Sequence, residues 1–346
     1  MKNLAFPLIV LCLLGSACQP AAEVSSTVEV QQFIYETAPF PSCHASTLAQ
    51  LPGGQIVAAW FGGTHEKHPD VGIWFSRREG ESWSTPVEVA NGIQSDTLRY
   101  PCWNPVLFQP SSGPLVLFYK VGPSPSEWWG MYISSSDGGN TWTQPQRLPH
   151  DILGPIKNKP IQLADGTIIS PSSDEAGEKW TSHVEISHDA GKTWERTPPI
   201  NNPYELEAIQ PTLLTFADGT ITMLCRTKQG KVGTSSSADQ GASWLPMILT
   251  DIPNPNSGID AVTLADGRHV LIYNPTMPPE GKWGGPRTPL VAAISADGIH
   301  WDEWVVLENE EGEYSYPAVI QSRDGKIHIT YTWKREKIKY VVLHTN

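Results

Sequence analysis

Long hydrophobic runs are almost missing from this chain of 346 residues. The one apolar run, from Leu4 to Leu14 in "MKNLAFPLIVLCLLGSACQP", is too short to cross a bilayer. Lys2 ahead of it and small residues behind it give it the form of an export signal. Basic residues are also scarce. Against 36 Asp and Glu there are 24 Lys and Arg, for a net charge of −12. That balance excludes a general affinity for nucleic acid or anionic lipid. Cysteine is sparse as well, and outside the leader only Cys43, Cys102 and Cys225 follow Cys18. Their odd number and spacing fit no zinc pattern, so they read as buried thiols with at most one disulfide among them. "HEKH" (65–68) lacks the H-E-x-x-H spacing and reads as a polar loop. No metal and no cofactor is expected.

What the chain has in quantity is glycine (29), proline (31) and tryptophan (14), the composition of many short strands and tight turns. No linker or low-complexity stretch divides it. We read residues 1–17 as a signal peptide, 18–26 as a short tether and 27–346 as one domain. "LLGSAC" resembles a bacterial lipobox, although Gly15 stands where leucine is usual. The resemblance implies export to the periplasm or outer membrane and a lipid on Cys18, the only membrane attachment expected.

Two interleaved repeats set the architecture. "SSDGGNTW" (135–142), "SHDAGKTW" (187–194) and "SADQGASW" (237–244) share S-x-D-x-G-x-[ST]-W. "SADGIHW" (295–301) is a shortened copy, and "SRREGESW" (76–83) a degenerate one with Arg78 in the aspartate place. Asp and Ser bond the amides of a tight turn, Gly supplies positive φ, and Trp packs underneath. These residues are structural. Between them run six strand–turn–strand units, among them "PTLLTFADGTITMLCR" and "PAVIQSRDGKIHITYTW". Four strands repeated at a period of roughly 50–60 residues predict an all-β, six-bladed β-propeller. A strand near 27–36 is expected to complete the last blade.

The position just before each innermost strand gives a ring of residues at one mouth: His44, Asn104, Lys157, Gln210, Gly258 and Tyr316. Trp103, Lys159, Asp260 and Tyr314 adjoin it, while Lys120, Arg226 and Lys334 end second strands and Arg287 precedes a third. Cations, an imidazole and phenols converging on one concavity point to ligand binding. Because the protein is acidic overall, that gathering implies an anionic ligand. On this reading Lys157 and Lys159, in "GPIKNKPIQL" (154–163), stand at the edge of the core to meet an acidic ligand.

From about residue 30 onward the Asp-box repeats resemble the sialidase (neuraminidase) superfamily. The resemblance implies a sialidase-type propeller whose arginines hold a sugar carboxylate. It further implies a tyrosine nucleophile activated by glutamate, and an aspartate serving as acid/base. Arg226 and Arg287 match the second and third arginines, Asp70 the acid/base and Tyr314 the nucleophile. Two departures stand out. "PSCHAST" holds His44 where the first arginine belongs, and Gln210 occupies the place of the activating glutamate, with Glu205 and Glu207 nearby. A neutral amide cannot accept the phenolic proton.

The expected function is an exo-acting glycoside hydrolase on a terminal acidic sugar, sialic or uronic. Asp70, Tyr314, His44 and Gln210 are the catalytic candidates. Arg226, Arg287, Lys157, Lys159, Asn104, Lys120, Asp260, Tyr316 and Lys334 are the candidates for substrate binding. Two alternatives stay open: a polysaccharide lyase on uronate glycans, with His44 or Tyr314 abstracting the α-proton, and a non-catalytic binder of acidic glycans. Acidic carbohydrate is the expected partner of a monomeric protein.

Overall fold

The structure is a computed structural model that describes residues 26–345 other than 176 and 178; the leader and Cys18 lie outside these residues. Six antiparallel sheets, five of four strands and that of blade I of five, stand around a central axis, each a blade with its first strand innermost. Blade I holds Ser42–Gln50, Ile56–Gly63 and Gly72–Glu79, with Ser82–Trp83 and Val87–Ala90 outermost. Blade II holds Cys102–Phe108, Leu115–Val121, Trp129–Ser135 and Gln146–Arg147. Blade III holds Ile161–Gln162, Ile168–Asp174, Thr181–Ser187 and Glu195–Arg196. Blade IV holds Ala208–Thr215, Ile221–Thr227, Lys231–Ser237 and Ile248–Pro253, and blade V holds Asp260–Thr263, His269–Tyr273, Leu290–Ser295 and Asp302–Glu308. Blade VI takes Tyr314–Gln321, Ile327–Trp333 and Lys337–Thr345 from the end of the chain and Ser26–Phe33 from its beginning. The expected closing strand is thus present, and main-chain hydrogen bonds between the two ends of the domain lock the ring.

Inner strands are buried on both faces, so they read as unbroken apolar runs; every residue of Ile56–Gly63 is buried. The core lies between blades. Phe61 and Phe75 of blade I pack with Leu107 and Tyr119 of blade II, and Ile272 and Leu290 of blade V with Val319 and Ile329 of blade VI. Cys43, Cys102 and Cys225 are free, buried thiols.

The repeated turns behave as local physics demands. Ser135 Oγ donates to Asp137 at 2.8 Å and accepts from Gly139 N at 2.7 Å. Asp137 in turn accepts from Thr141 N at 2.9 Å. The bonds from Thr141 and Ser135 hold the Asp137 carboxyl down to about 2. Asp189 and Asp239 sit in the same setting. Gly139 needs its φ of +89°, and a Cβ there would lie 2.4 Å from the Phe75 ring of the preceding blade. Trp142 meets that same ring edge-on at 5.4 Å, so each turn also clamps neighbouring blades together.

Candidate functional site

The mouth is shaped by one backbone device repeated around the ring. Ala45, Asn104, Lys157, Gln210 and Tyr316 all have left-handed φ, between 38° and 75°, at the entry to blades I, II, III, IV and VI. Strand register shifts there in blades I, II, IV and VI, the signature of a β-bulge. A bulge re-aims a side chain that would otherwise follow the pleat, and here it turns four polar side chains toward the axis. Blade V supplies Gly258 instead. A Cβ at Gly258 would come within 3.2–3.4 Å of Lys157, Tyr316 and Gln210, so the absent side chain lets the other three meet.

Above this floor lies a hollow of about 420 Å³, walled by Trp103, Trp128, Trp180 and Trp283 with Gln210, Arg226 and Tyr316 at its base. Arg226 is 3% exposed. Its Nε donates to Asn256 Oδ1 at 2.6 Å, and its Nη1 to Gln210 Oε1 at 3.3 Å and Tyr316 Oη at 2.9 Å. Gln210 Nε2 donates to the same phenolic oxygen at 3.0 Å. The guanidinium also faces the rings of Trp180 and Trp283, at 5.2 and 5.6 Å. Among the described residues no carboxylate pairs with it. A buried guanidinium held only by neutral groups is costly to keep, and an entering anion would relieve that cost.

The two lysines before blade III are placed differently from expectation. Lys157 Nζ points beneath the floor and donates to Asn158 Oδ1 at 2.8 Å, to Ile259 O at 2.7 Å and to Pro317 O. Burial pulls this ammonium down to about 7. Lys159 Nζ pairs with Asp260 at 2.9 Å and bonds Ala261 O, while Asp260 also accepts from Thr212 Oγ1 and Val319 N. Lys120 Nζ, fully buried, donates to Pro155 O at 2.9 Å. These three lysines and Asp260 fasten blades to one another, because their polar atoms are taken up by acceptors and donors of other blades.

A second cationic group borders the same centre. Arg287 Nη1 lies 3.0 Å from Glu313, and Arg335 bonds Glu313 at 2.8 Å and Glu66 at 2.7 Å. Arg335 was not anticipated from the sequence. Together with Arg287, Arg226 and Lys157 it opposes protonation of His44, whose burial already holds the imidazole well below its usual value. His44 Nδ1 bonds Thr332 Oγ1 at 2.9 Å, and the ring centre lies 4.1 Å from that of Tyr316. Asn104 lines the hollow.

His44, buried beside Tyr316, does not line the hollow, and two further expected catalytic positions fall outside it. Asp70 closes its own loop, accepting from Thr64 N at 2.9 Å and Thr64 Oγ1 at 2.6 Å, with His68 at 2.7 Å. Burial would raise its carboxyl, but the Thr64 and His68 contacts outweigh that and hold it low, the wrong direction for a proton donor. Tyr314 is 1% exposed and packs into the core between blades V and VI, with Lys334 beside its hydroxyl. Lys334 stacks on Trp333 at 4.7 Å. The tyrosine that reaches the hollow is Tyr316. The carboxyl that reaches it with a raised value is Glu175, half-buried on the loop after the second strand of blade III. Burial raises it against the pull of Arg226 and Lys228, and no described residue hydrogen-bonds it. Glu175, Trp180 and Trp283 lie on irregular loops where no repeat marks a position. The only sequence signal was their place between strand ends.

The BNR repeat-like domain family matches residues 54–329. No curated protein matches the chain. Among solved structures, a protein of unknown function from Dyadobacter fermentans superposes with a TM-score of 0.75 at 17% identity, covering 93% of this chain and 99% of its own. The NanB sialidase of Streptococcus pneumoniae gives 0.70 at 14% identity, over 90% of this chain and 70% of its own. The intramolecular trans-sialidase of Ruminococcus gnavus gives 0.68 at 14% identity, over 91% and 97%. At such identities the likeness is one of fold: a six-bladed propeller of sialidase type.

Proposed function

The chain belongs to the BNR repeat-like domain family, and from that premise we propose that it is a glycoside hydrolase releasing a terminal acidic sugar. The observation that carries this reading is Arg226, a buried guanidinium without a carboxylate partner at the base of a tryptophan-lined hollow. The sugar's carboxylate meets Arg226, and its apolar ring faces meet the tryptophans. Glu175 delivers the proton to the departing glycosidic oxygen, a role its raised carboxyl suits. The Tyr316 oxygen, fixed by Arg226 and Gln210, meets the positive charge that develops at the anomeric carbon. Asp70 and Tyr314 do not serve in this version, for the reasons of placement given above.

A second reading, elimination at a uronate, has one observation in its favour. Tyr316 has no carboxylate to receive its proton, whereas His44 is neutral and adjacent, and the carboxylate of a bound uronate would offset the cations that oppose its protonation. Digestion of sialic- and uronic-acid-terminated glycans with mass analysis separates the two. Hydrolysis adds water across the cleaved bond, and elimination leaves an unsaturated uronate of higher ultraviolet absorbance. Glu175→Gln should lower hydrolysis about 100-fold or more. Undiminished turnover in that variant, with its fold verified, overturns the assignment of Glu175.

A further inference from the structure

Outside the tryptophan-lined hollow lies a second depression, of about 240 Å³, that shares three wall residues with it: Pro125, Ser126 and Trp128. The opposite wall is shared as well, since Glu175 borders the inner space and Asp174 the outer one. Both spaces therefore lie between the same two loops, one from blade II and one from blade III. The inner one opens on the axis. The outer one extends to Arg147 and Arg196, which belong to the outermost strands of those blades. Glu175 stands where the two meet.

Arg147 is exposed, with its guanidinium 4.9 Å over the Trp129 ring. Arg196 donates to Asp151 O at 3.3 Å and lies 3.4 Å from Asp174. Trp128 meets Trp103 of the inner hollow edge-on at 6.0 Å, so one aromatic wall continues from the first space into the second. With Asp151 and Asp174 lining it beside the two arginines, the outer space balances its charges. That is the chemistry of a site for hydroxyl-rich, neutral rings, with planar donors and an aromatic wall.

We infer that the channel between blades II and III is a leaving-group subsite, and that the substrate is an oligosaccharide whose acidic end sits on Arg226 while neutral pyranose rings lie against Trp128, Arg147 and Arg196. The inference rests on the function proposed above. The glycosidic oxygen then falls at the junction of the two spaces, beside Glu175, and the released chain leaves outward along the channel without crossing the hollow.

The test is binding by full-length protein carrying Glu175→Gln, so that the probes are cleaved slowly enough for binding to be read. The probes are free N-acetylneuraminic acid, free glucuronic acid, and trisaccharides ending in each. The trisaccharide is expected to bind about 10-fold more tightly than its monosaccharide. Arg147→Ala with Arg196→Ala should abolish that advantage and leave monosaccharide affinity unchanged; single variants and thermal melts exclude a folding defect. Equal affinity for the two probes, or an advantage that survives the arginine changes, overturns the subsite. The function reading then stands, provided the monosaccharide's binding depends on Arg226. If no probe binds, or binding ignores Arg226→Met, the function reading falls and the subsite with it.

Discussion

Arg226→Met separates ligand recognition from fold maintenance. In the ligand-free protein the substitution has opposing effects. It removes a buried charge that no described carboxylate pairs with directly, which is worth several kcal/mol in its favour. Against this, Asn256 Oδ1 and Gln210 Oε1 lose a donor, at about 1–3 kcal/mol for groups left buried. The contacts with Trp180 and Trp283 are lost too, at about 0.5–1 kcal/mol each. The sum is a stability change within about 2 kcal/mol of zero. Binding has no such compensation. Truncating one partner of a desolvated, hydrogen-bonded charge pair costs about 2–5 kcal/mol, which is about 30- to 5,000-fold in Kd. Calorimetric titration with an acidic sugar, set beside urea unfolding of wild type and variant, reads both quantities. A loss of stability beyond about 4 kcal/mol with affinity retained would refute the reasoning, because Arg226 would then be another fastener like Lys159.

Gln210→Glu places a carboxylate beside Arg226 and Tyr316; it should stabilise the free protein and weaken an anionic ligand about 10-fold or more, measured by the same titration. Asp260→Asn leaves the partly exposed Lys159 without its counter-charge and weakens the buried acceptor of Thr212 and Val319, and urea unfolding should show a loss of about 1–3 kcal/mol. His328 is buried between Tyr340 and Ser322, and burial holds its imidazole down to about 4. Between about pH 6.5 and that value the unfolded chain takes up a proton that the folded one refuses. Stability on the order of 3 kcal/mol, present at pH 7, should therefore be lost as pH falls through this window. Chemical unfolding at stepped pH should show the slope, and His328→Gln should flatten it.

The ring of blades was legible because each repeat carries its own local instructions: an Asp and a Ser that tie a turn, a glycine that fits under a ring, a tryptophan that clamps the next blade. Those interactions reach only a few residues, so they survive translation from sequence to structure. The ring of mouth residues was legible for a related reason. His44, Asn104, Gln210 and Tyr316 lie at one repeated bulge, and the last three arrive in the hollow as their position before a strand suggested. The choice between Tyr314 and Tyr316 was not legible, since both lie on one inner strand two residues apart and a left-handed φ at Tyr316 decides which enters. Arg335, also at positive φ, reaches the site only because the turn after the last inner hairpin folds back over Glu313. Glu66, Glu175, Trp180 and Trp283 stand on loops whose paths depend on neighbouring blades, and no short-range pattern fixes such a path.

The lysines show where reasoning from charge alone goes astray. An ammonium near a mouth was read as a ligand contact because a net charge of −12 makes cations conspicuous. What separates a fastener from a recognition group is whether the protein supplies its partners. Lys157 already has three oxygens and Lys159 a full carboxylate, so an arriving anion would have to displace internal bonds and would gain little. Arg287 and Arg335 share Glu313 and stand between the two extremes. Arg226 has only neutral acceptors and aromatic faces. The electrostatic work of the site therefore concentrates on one guanidinium, and the surrounding cations act by keeping His44 uncharged and by holding the blades that frame the hollow. On that account, exchanging Lys157 should register first as lost stability, and exchanging Arg226 first as lost affinity.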